Sequence, residues 1–383
     1  MTLSAQAIEH DLTELWKETK PAKEGEPGLQ RVYTTNLVAY AEDHETGYRV
    51  ERALMDLTQF QPGRYILIRP ALDTGEAPVR YYVSGHCPFW AEQHRVCCDI
   101  IKLVAQTDSI ENLYGFTFSL LVPDLPVELW WPGDLPLKNK FFAKMAEASN
   151  RVWVDSSKFK NPEQSVARLA FLWKQRFPGT LLADMNWVRI QRWRALIAEL
   201  FDGSWAKYLC QIRQVTLEYG EGSHPLRGFL LALWMADRMG WKYKGSPLAS
   251  VPEKIDFDGP KGLVEVLLKA VPVQDAKRDR IFAVGILTGG ERPAFFSIVR
   301  DADPHMVMAR AEVQGGESFS RAVTLGRGPE KSGGGRGLEQ GLGAGRSGFG
   351  KTHSLAECSL REPNFHRTRP WASAVKQVFV RRS

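Results

Sequence analysis

The chain has 383 residues, 44% of them hydrophobic and 25% charged, with a formal net charge of +6 and a pI near 9.0. That length exceeds one ordinary domain of about 100–200 residues, and the composition is one that buries real cores. The basic surplus lies at one end: residues 314–383 hold 12 Lys and Arg against 5 Asp and Glu, which leaves residues 1–313 at −1 and excludes a nucleic-acid footprint on the body.

The apolar stretch around Phe116, Leu120 and Val122 is shorter than the roughly 20 residues a bilayer span requires. Glu9, Asp11 and Glu14 at the N-terminus do not read as a secretory leader. Five unevenly spread cysteines, Cys87, Cys97, Cys98, Cys210 and Cys358, argue for a reducing, cytoplasmic location and against a disulfide framework.

In chain order, Ile8, Leu12, Leu15 and Trp16 predict an amphipathic helix over 5–19. Strands are expected at 31–40, 64–68, 79–83 and 95–104, with a helix at 48–60 and another at 109–121. Then follow a strand at 127–131, a helix at 137–148, a strand at 151–155 and a helix at 162–176. Such alternation predicts βαβ units and a largely parallel, covered sheet in an N-terminal α/β domain over 1–179, ended by Pro178-Gly179. A second, α+β domain is expected over 180–313. It has a helix at 187–201, a strand at 208–219 and a helix at 226–239 stopped by Gly240. Four apolar runs at 264–270, 281–287, 294–299 and 306–313 then read as antiparallel hairpins. Residues 314–383 are rich in Gly, Arg and Ser and read as a disordered tail, with weak regular character only at 372–380.

Gly345-Arg-Ser-Gly-Phe-Gly-Lys-Thr352 matches the GxxxxGK[ST] phosphate loop, yet no strand delivers it and Pro363 soon follows. A Gly/Arg/Ser-rich tract produces that pattern by chance. His86, Cys87, His94, Cys97 and Cys98 lack zinc-knuckle spacing, and adjacent strand cysteines point to opposite faces. Core thiols are the plainer reading. No GxSxG elbow and no GxGxxG after the first strand is present, so neither a nucleophile nor a dinucleotide cofactor is expected.

Two Trp/Arg clusters remain. Asp124-Leu-Pro-Val-Glu-Leu-Trp-Trp-Pro-Gly-Asp134 puts Trp130 and Trp131 on opposite faces of a strand and Asp134 in the turn at its C-terminal edge, where ligands gather in open sheets. Asp184-Met-Asn-Trp-Val-Arg-Ile-Gln-Arg-Trp-Arg194 places Trp193 on an apolar helix face with Arg189 and Arg194 at its borders. Core tryptophans and internally paired arginines are the plain reading. A partner surface or a phosphate clamp is the functional one.

These two segments, with Arg151-Val-Trp-Val-Asp-Ser156 between them, resemble the glucose-6-phosphate dehydrogenase assembly protein OpcA family. Gly28–Val38, Cys98-Asp99-Ile100 and Leu230–Trp241 are similar as well, so the likeness spans residues 28–310. The resemblance implies a two-domain, non-catalytic protein that binds glucose-6-phosphate dehydrogenase and promotes its active state in the oxidative pentose phosphate pathway. No cofactor, nucleic acid or membrane is implied. On this reading Trp130, Trp131, Asp134, Arg189, Trp193 and Arg194 are the candidate partner-binding residues. The rival is a sugar-phosphate enzyme or sensor using Trp130 and Asp134 with Arg189 and Arg194. The family ordinarily continues with ordered structure where this chain enters its Gly/Arg tract.

Overall fold

The structure is a computed structural model and describes residues 3–18, 29–71, 78–90, 94–136, 138–245, 251–273, 280–303 and 305–325. Contacts divide the described residues into two units: those up to Lys160 with Gln175–Met185, and Asn161–Lys174 with 186–325.

The first unit opens with α1 (Ala5–Glu18), whose Ile8 and Leu12 are fully buried as the helical spacing predicts. There follow β1 (Leu29–Arg31), β2 (Asn36–Tyr40), α2 (His44–Leu57), β3 (Arg64–Pro70), β4 (Val79–His86), β5 (Phe89–Trp90) and β6 (His94–Ala105). After them come α3 (Thr107–Ile110), α4 (Tyr114–Ser119), β7 (Val127–Trp131), α5 (Lys140–Ala148) and β8 (Arg151–Val154). The helix α6 (Pro162–Arg176), most of which belongs to the second unit, leads to β9 (Leu181–Asp184) of the first. The sheet runs β1-β6-β3-β2-β7-β8-β9 with every neighbouring pair parallel. Only β4 and β5 lie antiparallel, both on β6. Ile66, Leu67 and Ile68 are all fully buried, the unbroken apolar run of a strand covered on both faces.

Two helix expectations shift. α2 starts at His44 rather than 48, because Asp43 supplies the N-cap. The helix expected over 109–121 is two short ones, α3 and α4.

From α7 (Met185–Arg189) and α8 (Gln191–Leu200) the chain passes through a 3₁₀ stretch, Gly203–Gln211, into β10 (Ile212–Gly220) and α9 (Leu226–Met239). Gly240 ends α9 at φ +66°, a left-handed cap in which an L side chain would be strained. The remainder is β: β11 (Lys242–Tyr243), β12 (Lys254–Gly259), β13 (Gly262–Val271), β14 (Ile281–Thr288), β15 (Ala294–Arg300), β16 (Met306–Val313) and β17 (Ser318–Thr324).

The eight strands run β11-β12-β13-β10-β14-β15-β16-β17. β14 through β17 form consecutive hairpins. β13 and β14 do not pair as expected, because β10 inserts between them, parallel to β13 and antiparallel to β14. The helix expected over 187–201 is interrupted at Ile190, which leaves α7 separate from α8. The first part of the tail expected from 314 is ordered instead, since β17 extends the sheet to Thr324. The phosphate-loop match at 345–352 and the segment 372–380 lie outside the described residues. Among the described residues no helix is long and apolar enough to cross a membrane.

Candidate functional site

In the parallel sheet the order reverses at β2, with β3 on one side and β7 on the other, so the ligand crevice of this architecture lies at the C-terminal ends of β2 and β7. Side chains fill it. Tyr40 ends β2 stacked on Trp131 of β7 at 4.1 Å between ring centroids, and Phe142 of α5 meets Trp131 edge-on at 5.2 Å. Trp131 Nε1 donates to the Asp134 carbonyl at 3.0 Å, which fixes the turn after β7.

The β2–α2 turn reads Tyr40-Ala-Glu-Asp-His44, with no glycine. Asp43 accepts from the Thr46 backbone N–H at 2.7 Å and from its hydroxyl at 3.0 Å. That backbone hydrogen bond, the largest cause, holds the Asp43 carboxyl below its ordinary value. The exposed Glu42 carboxyl lies against Gly133, where an added Cβ would come within 2.7 Å of it. A helix N-terminus that attracts phosphate elsewhere is here occupied by the chain's own carboxylate, with a second one adjacent. At the end of β3, Arg69 lies 5.7 Å from the Tyr48 ring, and its Nε and Nη1 have no hydrogen-bond partner.

The sequence-predicted residues lie inside the fold or build its loops. Trp130, Trp131 and Trp193 are each 3% exposed and Arg194 is 7% exposed. Asp134 accepts from the backbone N–H groups of Leu135 (2.9 Å) and Lys160 (3.1 Å). Arg194 stacks on Trp187 at 4.3 Å, and Arg300 covers Trp193 at 5.6 Å. Arg189 ends α7 half-buried. Trp130, Trp131 and Asp134 belong to the first unit, and Arg189, Trp193 and Arg194 to the second. In these positions Trp130, Trp131, Trp193 and Arg194 are packed within their own units.

Sequence reasoning missed a buried ionic centre at the N-terminal end of β3. Asp99 of β6 is fully buried and accepts from Trp16 Nε1 (3.0 Å), the Tyr33 hydroxyl (2.5 Å), Arg31 Nη2 (2.6 Å) and Arg64 Nη2 (2.9 Å). Arg64 also pairs with Glu9 of α1. Burial alone would raise the Asp99 carboxyl, but the hydrogen bonds from Arg31 and Tyr33 and the two guanidinium charges hold it below its ordinary value. This centre ties α1 and the residues around β1 to the sheet; it is fully partnered and offers no open valence. The signal available in sequence was a lone carboxylate inside the apolar run of β6.

Glu128 of β7 is the opposite case. Burial raises it, against the pull of Arg151 at 3.7 Å and the Trp153 indole N–H at 2.5 Å.

The cysteines correct the expectation of core thiols. Cys87 and Cys97 form a disulfide. Cys98 next to them is buried and free, its thiol pushed up to about 11 by burial. Among the described residues no three His, Cys, Asp or Glu side chains gather as metal ligands.

Two family models match the chain: the glucose-6-phosphate dehydrogenase subunit N-terminal domain over residues 55–171 and the corresponding C-terminal domain over 180–323. The OxPP cycle protein OpcA of Nostoc punctiforme is 32% identical over 225 residues, which cover 56% of this chain and 46% of that protein. Its counterpart in Synechococcus elongatus is 30% identical over 221 residues, covering 56% and 48%. The matched region therefore spans about half the length of these relatives. Among solved structures, glucose-6-phosphate 1-dehydrogenase from Mycobacterium avium shares the fold at TM-score 0.51 and 12% identity, covering 91% of each chain. An oxidoreductase from Parabacteroides merdae does so at TM-score 0.51 and 10% identity, covering 94% of this chain and 98% of that one. By the two domain models and the OpcA relatives together, the chain belongs to the OpcA family of glucose-6-phosphate dehydrogenase subunits.

Proposed function

We propose that this chain is a non-catalytic assembly factor and allosteric activator of glucose-6-phosphate dehydrogenase, working beside that enzyme in the cytoplasm. Family membership supports the partner. The observation that carries the non-catalytic half is the β2–α2 turn. A dinucleotide pyrophosphate at that position would face the Asp43 cap and the Glu42 carboxylate, and Tyr40 and Trp131 already fill the crevice. Activation requires that the chain bind the enzyme's active conformation or oligomer more tightly than the inactive one, because equal affinity shifts no equilibrium.

The test is to titrate the same organism's glucose-6-phosphate dehydrogenase with this chain while following NADP⁺ reduction, with the pair also run on a sizing column. Saturable activation with co-elution is the expected result, with no turnover by the chain alone. Turnover by the purified chain, or a sizing profile in which the two proteins never meet, would overturn the reading.

A further inference from the structure

Within the second unit, the described helices lie on one face of the sheet. α8 lies against β15 and β16, and α9 against β10 and β13. The covered face carries Val215, Leu217, Ile286, Phe296, Ile298 and Ala309, each at most 1% exposed. Strand alternation turns the residues between them to the other face. There Leu263, Leu287, Phe295 and Val299 stand 43–45% exposed, four of the nine most exposed large apolar side chains among the described residues.

Three of them lie on the paired strands β14 and β15, while Leu263 stands apart on β13, with Gln214, Thr216 and Glu218 of β10 between. Leu287 pairs directly with Phe295, and Val299 with Met308. The Phe295 ring lies across Gly285, where an added Cβ would touch it at 3.4 Å. Charges of both signs surround this centre: Lys254 and Glu265 on one flank, Arg310 and Glu312 on the other. An apolar middle inside a mixed-charge rim is the anatomy of a protein interface. A solvated sheet face ordinarily alternates to polar residues instead.

We infer that this open sheet face is the surface through which the chain docks on glucose-6-phosphate dehydrogenase, an inference that rests on the reading in the preceding section. Size supports a stable contact. Eight strands at about 4.8 Å spacing, each about seven residues at roughly 3.3 Å, present a face of about 800 Å². That is the area each partner contributes to a standard interface, roughly 800 Å². Shape supports this occupant. A solved glucose-6-phosphate dehydrogenase shares the fold over 91% of both chains, and two twisted sheets of like curvature pack face to face at about −30°. The mixed rim suits such an aligned contact, because Arg310 can meet a partner's carboxylate while Lys254 is already paired with Glu265, so neither side carries a uniform field.

The experiment measures the Kd of the full chain for the dehydrogenase by calorimetry, for the wild type and for Leu287→Asp/Phe295→Asp. Circular dichroism and thermal melts show whether the variant stays folded. Hydrogen–deuterium exchange on the wild-type complex reads the same face without any substitution. The expected results are a Kd weakened at least about a hundredfold in a folded variant, and slowed exchange in β14 and β15 on complex formation. An unchanged Kd with no protection of those strands overturns the inference while the assembly role stands. Wild-type chain that never binds the enzyme overturns the functional reading and this inference together. A wild-type homodimer that the substitutions make monomeric, with enzyme binding intact, assigns the face to a second copy and also overturns it.

Discussion

Replacing Asp99 by Asn tests how the first unit is held together. The side chain is fully buried and takes hydrogen bonds from Trp16, Arg31, Tyr33 and Arg64. Asparagine keeps the volume but removes the charge that balances Arg64, whose side chain is only 5% exposed. Breaking a buried pair from one side costs roughly 3–5 kcal/mol, since the remaining charge is left uncompensated. Glu9 still reaches Arg64 from α1, but it is 43% exposed and its contribution is screened. The expected loss is therefore near the lower end, about 3 kcal/mol. At about 2–4 °C per kcal/mol for a unit of this size, melting falls by about 6–12 °C.

Urea and thermal unfolding at pH 7 measure this loss, and one below about 1 kcal/mol would refute the reasoning. The pH dependence gives a second check. A carboxyl held below its ordinary 3.8 in the folded state stabilises fully above that value, and the contribution is lost as pH falls through the folded value. The gap between wild type and variant should stay constant from about pH 6 to 8 and close below about pH 4.

Arg194→Ala should lower stability by about 1–2 kcal/mol through the lost stack on Trp187, measurable by urea unfolding; unchanged stability with weakened enzyme binding would instead make Arg194 a contact residue. Glu128→Gln should flatten the pH profile. The raised folded value of Glu128 means that its ionisation costs stability as pH rises through the ordinary 4.5, and glutamine removes that cost; parallel profiles for variant and wild type would contradict the assignment. Cys87→Ser should destabilise the first unit by about 2–3 kcal/mol, the loop-closure value for a ten-residue separation, and an unchanged melt would show that the bond constrains little. Cys98, buried and with its thiol at about 11, should resist alkylation in the native chain at pH 8; rapid labelling would refute its burial.

Periodicity is a local property, and it was legible wherever one face of an element is buried. Ile8 and Leu12 marked α1, the apolar runs marked β3, β6 and β7, and Gly240 marked the end of α9. The alternation of strand and helix was enough for a parallel sheet in the first unit, because parallel neighbours need crossovers of that length. The Trp-rich segments were long enough to carry the family resemblance.

Three things depended on the tertiary structure. Partner choice among strands is non-local: β13 and β14 are consecutive, yet β10 lies between them. The depth of an amphipathic side chain is equally invisible, so Trp193 and Arg194 read alike as interior or contact residues until neighbouring elements close over them. Charge partners far apart in the chain, such as Asp99 with Arg31 and Arg64, meet only when the sheet assembles. The sequence by itself determined which faces are apolar. Only the folded sheet decided which of those faces is covered, because burial belongs to the pair of surfaces that meet and the chain encodes each separately.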